Sequence, residues 1–254
     1  MTITVGILSG KGGVGKTSTA VNMAAALNHF GRDVIVMDGN LSTPNLGLHL
    51  GVPVVPITLH DVLKGKNSIL DSVYLHHTGL KIVPAGLSLD DLRNVSPEKL
   101  KSVLPSLSGL TDVVLIDGSA GLGRESLAIM DAVDEIVIVT NPELPAVTDA
   151  LKTIRLAEEV GKKVKGVILT KSGEEHDIPI ENIEGLLEKP ILGIVPFDKY
   201  MRKSLIRREP VVFSYPKSKS AVAYKKIVAD LAGINYSEKA EGKVGAFFRN
   251  LSRR

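Results

Sequence analysis

A glycine-rich segment near the start of the chain has the residue types and spacing of a phosphate-binding loop. Residues 10–17 read Gly-Lys-Gly-Gly-Val-Gly-Lys-Thr, between an apolar run at 2–8 and an alanine-rich helical stretch. In such a loop, backbone N–H groups and the helix N-terminus face phosphate oxygens, while Lys16 reaches the β- and γ-phosphates and Thr17 ligates Mg²⁺. The segment therefore predicts a nucleoside triphosphate site.

Two aspartates at predicted strand ends supply the carboxylates that a magnesium site needs. Asp117 follows an apolar run at residues 112–116, and Asp38 follows another at 34–37. Because the carboxyl ends of parallel strands meet at one edge of a sheet, both side chains are expected beside the loop. We therefore expect Thr17, Asp38 and Asp117 to hold Mg²⁺, although either aspartate alone is also a common strand-end turn residue.

Seven apolar, β-branched runs predict the framework that positions these groups. The runs lie at residues 2–8, 33–37, 81–84, 112–116, 135–140, 165–169 and 191–195. Several lack polar alternation, which is typical of parallel strands buried on both faces. Helices are predicted at residues 16–30, 145–160 and 218–231, each ended by a nearby glycine. The pattern predicts an α/β fold with a doubly wound, mainly parallel sheet flanked by helices.

Composition narrows the classes of protein that this chain could belong to. A hydrophobic share of 44% with 23% charged residues is ordinary for a globular protein. The chain has 0 Cys, which excludes disulfides, thiolate metal sites, iron–sulfur clusters and cysteine nucleophiles. No apolar run reaches the roughly 20 residues of a membrane span, so we expect a cytoplasmic protein. Basic residues cluster between Lys199 and Arg208, which is most often simply a solvated face.

The loop also contains a lysine that the general phosphate-loop pattern does not require. With Lys11 in its second place, the loop resembles the deviant Walker A motif of the MinD/ParA family. Residues 38–47 resemble the switch I of that family and residues 117–122 its switch II. Residues 140–143, 210–212 and 216–218 resemble further segments of MinD-like members. The resemblance covers nearly the whole chain and implies one P-loop ATPase domain at residues 1–232, with ATP and Mg²⁺ as its ligands.

The resemblance implies roles for particular residues. Lys11 would reach across an ATP-dependent homodimer to the phosphates of the partner, and it would form the catalytic set with Lys16, Asp38 and Asn40. The residues implied to contact nucleotide are Gly10, Lys11, Gly12, Gly13, Val14, Gly15, Lys16, Thr17, Ser18, Gly121, Thr170, Lys171, Pro196, Phe197 and Asp198.

Three positions depart from the family pattern. Asn40 stands where the family usually has a second switch I aspartate, and an amide can position a water but cannot accept its proton. This predicts slow hydrolysis. Ser119 replaces a switch II proline, which predicts a less rigid loop. Thr170 and Lys171 replace an Asn-Arg pair used in base recognition, so the selection of adenine follows from the resemblance alone.

The C-terminal residues predict a surface-binding helix. Residues 233–242 are predicted to form a linker, and residues 243–254 place Val244, Phe247, Phe248 and Leu251 on one helical stripe. Arg249 and Arg253 fall on the opposite side, the layout of an interfacial helix. The segment is similar to the membrane-targeting helix of MinD. The alternative is a stripe that docks on its own domain or on another protein.

The branch of the family is inferred from what the chain contains and lacks. Cysteine-dependent relatives are excluded, and so are the related tyrosine kinases, because only Tyr236 lies in the terminal stretch. We expect a MinD-like ATPase that dimerises with ATP, hydrolyses it to ADP and positions a cellular component at an anionic membrane, with an unidentified regulatory protein as partner. A ParA-like DNA-partition ATPase, with the Lys199–Arg208 cluster on DNA, and a nearly non-hydrolysing ATP-bound adaptor are the alternatives.

Overall fold

The structure, a computed structural model, describes residues 2–173 and 177–237. The predicted tail at residues 243–254, with all four of its stripe residues, lies outside the described residues, as do residues 238–242 of the predicted linker. In the part that is described, no helix is both long enough and apolar enough to cross a bilayer.

One eight-stranded sheet organises the described residues. Its strands are β1 (Ile3–Ser9), β2 (Val34–Asp38), β3 (Tyr74–Leu75), β4 (Lys81–Val83), β5 (Val113–Ala120), β6 (Glu135–Thr140), β7 (Lys163–Ser172) and β8 (Ile191–Pro196). The spatial order is β3-β4-β2-β5-β1-β6-β7-β8, and every neighbouring pair is parallel except β3 with β4. All seven predicted strands are present, and the α/β prediction is confirmed.

Helices of very different length connect the strands or follow the last of them. They are α1 (Lys16–His29), α2 (Leu46–Leu50), α3 (Leu59–Leu63), α4 (Leu100–Val103), α5 (Arg124–Ala132), α6 (Leu144–Glu159), α7 (Ile180–Leu187), α8 (Lys199–Arg207), α9 (Val211–Ser214) and α10 (Lys219–Ala232), with short 3₁₀ turns at Ile69–Ser72, Pro97–Lys99 and Leu104–Leu107. The three predicted helices correspond to α1, α6 and α10. Each differs from its predicted bounds by one residue at one end or at both.

Apolar side chains cover both faces of the sheet, which explains why its strands lack polar alternation. On one face, Leu8 and Ile136 pack with α5, α6 and α7. On the other face, their neighbours Ile7 and Val137 pack with α1 and α10. Successive side chains of a strand point to opposite faces, so a strand covered on both faces is apolar at every position.

Candidate nucleotide site

The loop between β1 and α1 leaves backbone donors open to an anion. Gly13 and Gly15 have φ values of 79° and 92°, which side-chain-bearing residues rarely adopt. A Cβ added at Gly12 or Gly13 would meet no atom within 4 Å among the described residues. Helix α1 begins at Lys16 without a side-chain cap and without an acidic residue in its first turn. Its N-terminal N–H groups are therefore available to phosphate oxygens.

Glycine is needed at position 10 because of packing against another helix. A Cβ at this position would lie 2.2 Å from the backbone oxygen of Asp149 in α6. The residue is therefore required for the close approach of α6 to the loop, whatever else its backbone contacts.

Lys16 and Asp117 form a buried ion pair at the carboxyl edge of the sheet. Lys16 Nζ lies 3.1 Å from Asp117 Oδ1, and the residues are 8% and 0% exposed. The second carboxylate oxygen, Asp117 Oδ2, is buried and has no hydrogen-bond partner among the described residues. Thr17, the residue after Lys16, is also buried and carries a hydroxyl. A carboxylate oxygen and a hydroxyl are ligands that suit a hard cation, so these residues fit Mg²⁺.

Asp38 occupies the neighbouring strand in direct register with Asp117. Its carboxylate accepts backbone N–H bonds from Asn40 at 3.2 Å, Asn45 at 3.0 Å and Leu46 at 2.9 Å. Burial, and next the charge of Asp117, raise the pKa of Asp38 to about 8 in spite of these donors. A bound Mg²⁺ would favour the ionised carboxylate and release its proton.

The stability of the fold should depend on the ionisation of Asp38. The unfolded carboxyl ionises near its ordinary value of 3.8, whereas the folded one does so at about 8. Its contribution to the free energy of unfolding is therefore full below the lower value and is lost as pH rises to the upper one. We expect Asp38→Asn to flatten this decline in denaturant melts over the same pH range. Asp131→Asn, at an exposed carboxyl, is the control, and an equal flattening in both variants would contradict the prediction.

The predicted switch I loop is held by two separate sets of hydrogen bonds. Within the loop, Asn40 Nδ2 donates to the Thr43 carbonyl at 2.6 Å, while Asn40 Oδ1 accepts from Thr43 N at 3.3 Å and Oγ1 at 3.1 Å. Outside it, Glu125 Oε1 accepts the Ser42 N–H at 2.9 Å and also its hydroxyl. The amide of Asn40 thus fastens the loop, and Glu125 of α5 ties that loop to the segment after Asp117. Glu125 belongs to no motif, so sequence reasoning missed it.

Asn40→Asp should raise the basal rate of ATP hydrolysis by about 10²-fold, because a carboxylate can act as the general base that an amide cannot. The affinity for ATP should stay nearly unchanged. Steady-state phosphate release and calorimetry measure the two quantities. Because aspartate also loses the donor to the Thr43 carbonyl, Thr43→Ala and Asn40→Ala serve as controls that loosen the loop without adding a base. An equal acceleration in these controls would contradict base catalysis.

The predicted switch II begins as part of the sheet. Strand β5 was predicted to end at residue 116 but continues to Ala120, so Asp117 and Ser119 lie inside the strand. The hydroxyl groups of Ser119 and Ser126 are 3.0 Å apart, which links the strand to α5. Gly121 has φ 83° and donates its N–H to the Ser9 carbonyl. Ser119 lies at an irregularity of the β1–β5 pairing, between the Ile7–Asp117 and Ser9–Ala120 partners.

The predicted base-recognition residues lie at the same edge, although several of their polar groups already have partners. Thr170 donates its hydroxyl to the Val14 carbonyl, and Lys171 Nζ lies 2.7 Å from the Gly13 carbonyl. The Asp198 carboxylate caps α8 and accepts both donors of Ser220. Phe197 is 64% exposed. In this arrangement Thr170 and Lys171 support the phosphate loop, and the ring of Phe197 is accessible to a ligand.

Two side chains at the edge of the loop complete the site. Lys11 Nζ lies 3.5 Å from Glu143 Oε2 in an exposed pair at the start of α6. His49 of α2 places Nε2 3.3 Å from Ser18 Oγ, and burial lowers the pKa of this imidazole. No sequence motif marks His49. The structure thus gathers Lys16, Asp38 and Asp117 in one buried cluster and leaves Lys11 at the rim.

Comparisons with known proteins agree with this geometry. A family model named ParA, described as the NUBPL iron-transfer P-loop NTPase, matches residues 1–232. An uncharacterized ATP-binding protein of Methanocaldococcus jannaschii is 38% identical over 99% of this chain and 97% of its own length. The solved cell division ATPase MinD of Pyrococcus furiosus has TM-score 0.88 and 34% identity, covering 92% of this chain and 99% of its own. The septum site-determining protein MinD of Pyrococcus horikoshii, solved with Mg-ADP, has TM-score 0.87 and 37% identity, covering 91% and 96%.

Proposed function

This chain belongs to the ParA family of P-loop NTPases, and we propose that within it the protein is a MinD-like switch that dimerises with ATP, hydrolyses it and positions a cellular component at a membrane. The observation that carries the ATPase part is the buried Lys16–Asp117 pair beside Asp38, under a loop with open backbone donors. The membrane part is supported by the apolar stripe of residues 243–254.

Different residues of the site have different roles in phosphoryl transfer. Backbone donors of residues 12–15 and the N-terminus of α1 bind phosphate oxygens, and Lys16 exchanges its carboxylate partner for phosphate. Thr17, Asp38 and Asp117 would hold Mg²⁺, which neutralises charge on the phosphates when bound. Segments 38–47 and 117–125 are joined by the hydrogen bonds from Ser42 to Glu125.

Each of two alternative functions is favoured by one specific observation. The basic residues between Lys199 and Arg208 favour a DNA-bound partition ATPase. The engagement of Asn40 with Thr43 favours an ATP-bound adaptor that hardly hydrolyses. The description of the family model mentions iron transfer. This chain has 0 Cys and so offers no thiolate ligands for iron or for an iron–sulfur cluster.

Hydrolysis and surface binding, measured together, test the proposal. We expect the full chain to cosediment with anionic vesicles with ATP but not with ADP, and we expect the vesicles to change its steady-state hydrolysis rate. Duplex DNA in place of vesicles is the parallel arm. A response to DNA alone would favour the partition ATPase, whereas ATP-dependent vesicle binding without measurable turnover would favour the adaptor.

Lys11→Ala should keep ATP binding but lose ATP-dependent dimerisation. In this structure the Lys11 ammonium is 3.5 Å from an exposed carboxylate at the rim, and its replacement leaves the buried Lys16 cluster intact. Light scattering with ATP, beside calorimetry, measures both properties. Glu143→Ala, which removes the intramolecular partner of Lys11, is the matched control and should dimerise. Normal dimerisation of Lys11→Ala would reduce Lys11 to an ordinary loop residue.

A further inference from the structure

The flank of the domain formed by α8 and α10 has a charge excess that the nucleotide site does not use. Residues 199–226 contain nine basic residues and one acidic residue, a net charge of +8. The whole chain carries only +3, so all its other residues together carry −5. Eight of these basic side chains are exposed, and we call them the basic flank: Lys199, Arg202, Lys203, Arg207, Arg208, Lys217, Lys219 and Lys226.

The charges of the basic flank are not neutralised within the described part of the chain. No acidic side chain there forms an ion pair with any of the eight, whereas several exposed lysines elsewhere are paired, as Lys101 is with Asp131. The two nearest acids in sequence are used otherwise, because Asp198 binds Ser220 and Glu209 lies 3.6 Å from His77.

Helix α8 keeps several of these cations close together at the surface. Lys199 Nζ and Lys203 Nζ lie 5.7 and 5.3 Å from the ring centre of Tyr200, and Arg207 lies 4.9 Å from that of Tyr215. Lys199, Lys203 and Arg207 follow one another at i, i+4 spacing, where like charges destabilise a helix. The ring contacts offset part of this repulsion, and an anionic partner would relieve the rest.

Exposed apolar side chains indicate which anionic partner fits. Ile206 is 75% exposed and Leu205 39% exposed, and both lie among the cations of α8. At a lipid surface, apolar side chains enter the boundary between headgroups and acyl chains while basic side chains stay at the phosphates. The phosphate backbone of a duplex would contact the cations but would leave Ile206 in water.

The fold places the basic flank on the side from which the C-terminal segment leaves. Tyr200 of α8 packs into the same sheet face as α9 and α10. Helix α10 starts at Lys219 beside α8 and ends at Ala232, and the chain then continues towards residues 238–254. A surface running along α10 would therefore meet the basic flank at one end and the start of the C-terminal segment at the other.

From these observations we infer that the basic flank is the face of the domain that lies against an anionic lipid surface, as a second contact beside the C-terminal stripe. The inference rests on the proposed membrane function and deepens it, since it fixes which side of the domain faces the bilayer. The source of the anionic groups is lipid phosphate, with Ile206 and Leu205 reaching below it.

The test uses the full chain with ATP and Mg²⁺ and two kinds of vesicle, pure phosphatidylcholine and phosphatidylcholine mixed with phosphatidylglycerol. Arg202→Glu/Lys203→Glu should weaken binding to the anionic vesicles by at least about 30-fold, because each basic residue near an anionic leaflet is worth roughly fivefold. Lys99→Glu/Lys101→Glu changes the net charge equally near α4, on the opposite sheet face, and should bind much more like the wild type. Ile206→Ser should weaken vesicle binding by about tenfold while leaving duplex DNA binding unchanged.

Each outcome decides between the alternatives. Equal losses in the two charge-reversed variants would overturn the inference, because net charge alone would then explain binding. Wild-type binding by Arg202→Glu/Lys203→Glu would overturn it too, while leaving the proposed membrane function in place. Loss of DNA binding with intact vesicle binding would assign the flank to nucleic acid. If the wild-type chain did not bind vesicles in the presence of ATP, both the proposed function and this inference would be wrong. Unchanged melting curves and lipid-free hydrolysis rates verify that the variants are folded.

Discussion

Lys16→Ala should abolish ATP binding at concentrations that saturate the wild type. The ammonium is the buried positive charge at the loop, 3.1 Å from Asp117, and phosphate would meet it in a site with little water. Truncating one partner of such a buried charged contact costs about 2 to 5 kcal/mol, which corresponds to a loss of about 30-fold to several thousand-fold in affinity. Isothermal calorimetry with ATP and Mg²⁺ measures it, and an affinity close to that of the wild type would contradict the role of Lys16.

A second variant separates binding from folding. Removing Lys16 leaves the Asp117 carboxylate buried without its partner, which destabilises a protein by about 3 to 5 kcal/mol. Lys16→Ala/Asp117→Asn removes both charges, so its melting temperature should recover towards that of the wild type. ATP binding should remain absent in the double variant. If ATP binding returned together with stability, the loss in Lys16→Ala would be a folding defect.

The sequence predicts the framework of this fold well where local pattern and tertiary structure agree. Apolar runs predict β1, β2 and β4 to β8, because strands covered on both faces are apolar throughout. Strand β3, at the edge of the sheet, was not predicted because its two residues are too few to form a recognisable apolar run. The helices of 14 to 16 residues were predicted, whereas those of 4 to 9 residues were not, since short helices depend on tertiary packing.

The candidate site likewise has features that the sequence predicts and features that it does not. The adjacency of Asp38 and Asp117 follows from the rule that parallel strands end at one edge, and the structure places the two in register. The contact between Glu125 and Ser42 joins residues 83 positions apart, and no local pattern encodes it. The bonds of Asn40 to Thr43 depend on a loop conformation that propensities do not specify. Long-range polar contacts and the hydrogen bonds inside irregular loops are therefore the parts of the site that only the fold reveals.

Ending the chain after Gly242 should remove ATP-dependent membrane binding. Inserting Val244, Phe247, Phe248 and Leu251 gains at most about 6 to 12 kcal/mol, and basic residues near anionic lipid add about 1 kcal/mol each. Ordering the dozen residues of this segment opposes insertion by about 1 to 2 kcal/mol per residue, so one copy binds weakly. Two copies on an ATP dimer bind at a high effective concentration, which raises avidity by about 10²- to 10⁴-fold without any new contact.

Cosedimentation with anionic vesicles under ATP and ADP measures this effect for the full and shortened chains. We expect only the full chain with ATP to pellet, since the shortened chain lacks the apolar stripe and retains only the basic flank. Phe247→Ser/Phe248→Ser keeps length and charge but interrupts the stripe, and it should behave like the shortened chain. Asn250→Ser, off the stripe, should behave like the wild type. If the full and shortened chains pelleted equally, the stripe would not be the membrane contact and the domain itself, with the basic flank as its candidate face, would have to supply the binding. If neither chain pelleted with ATP, DNA partition would become the better account of this ATPase.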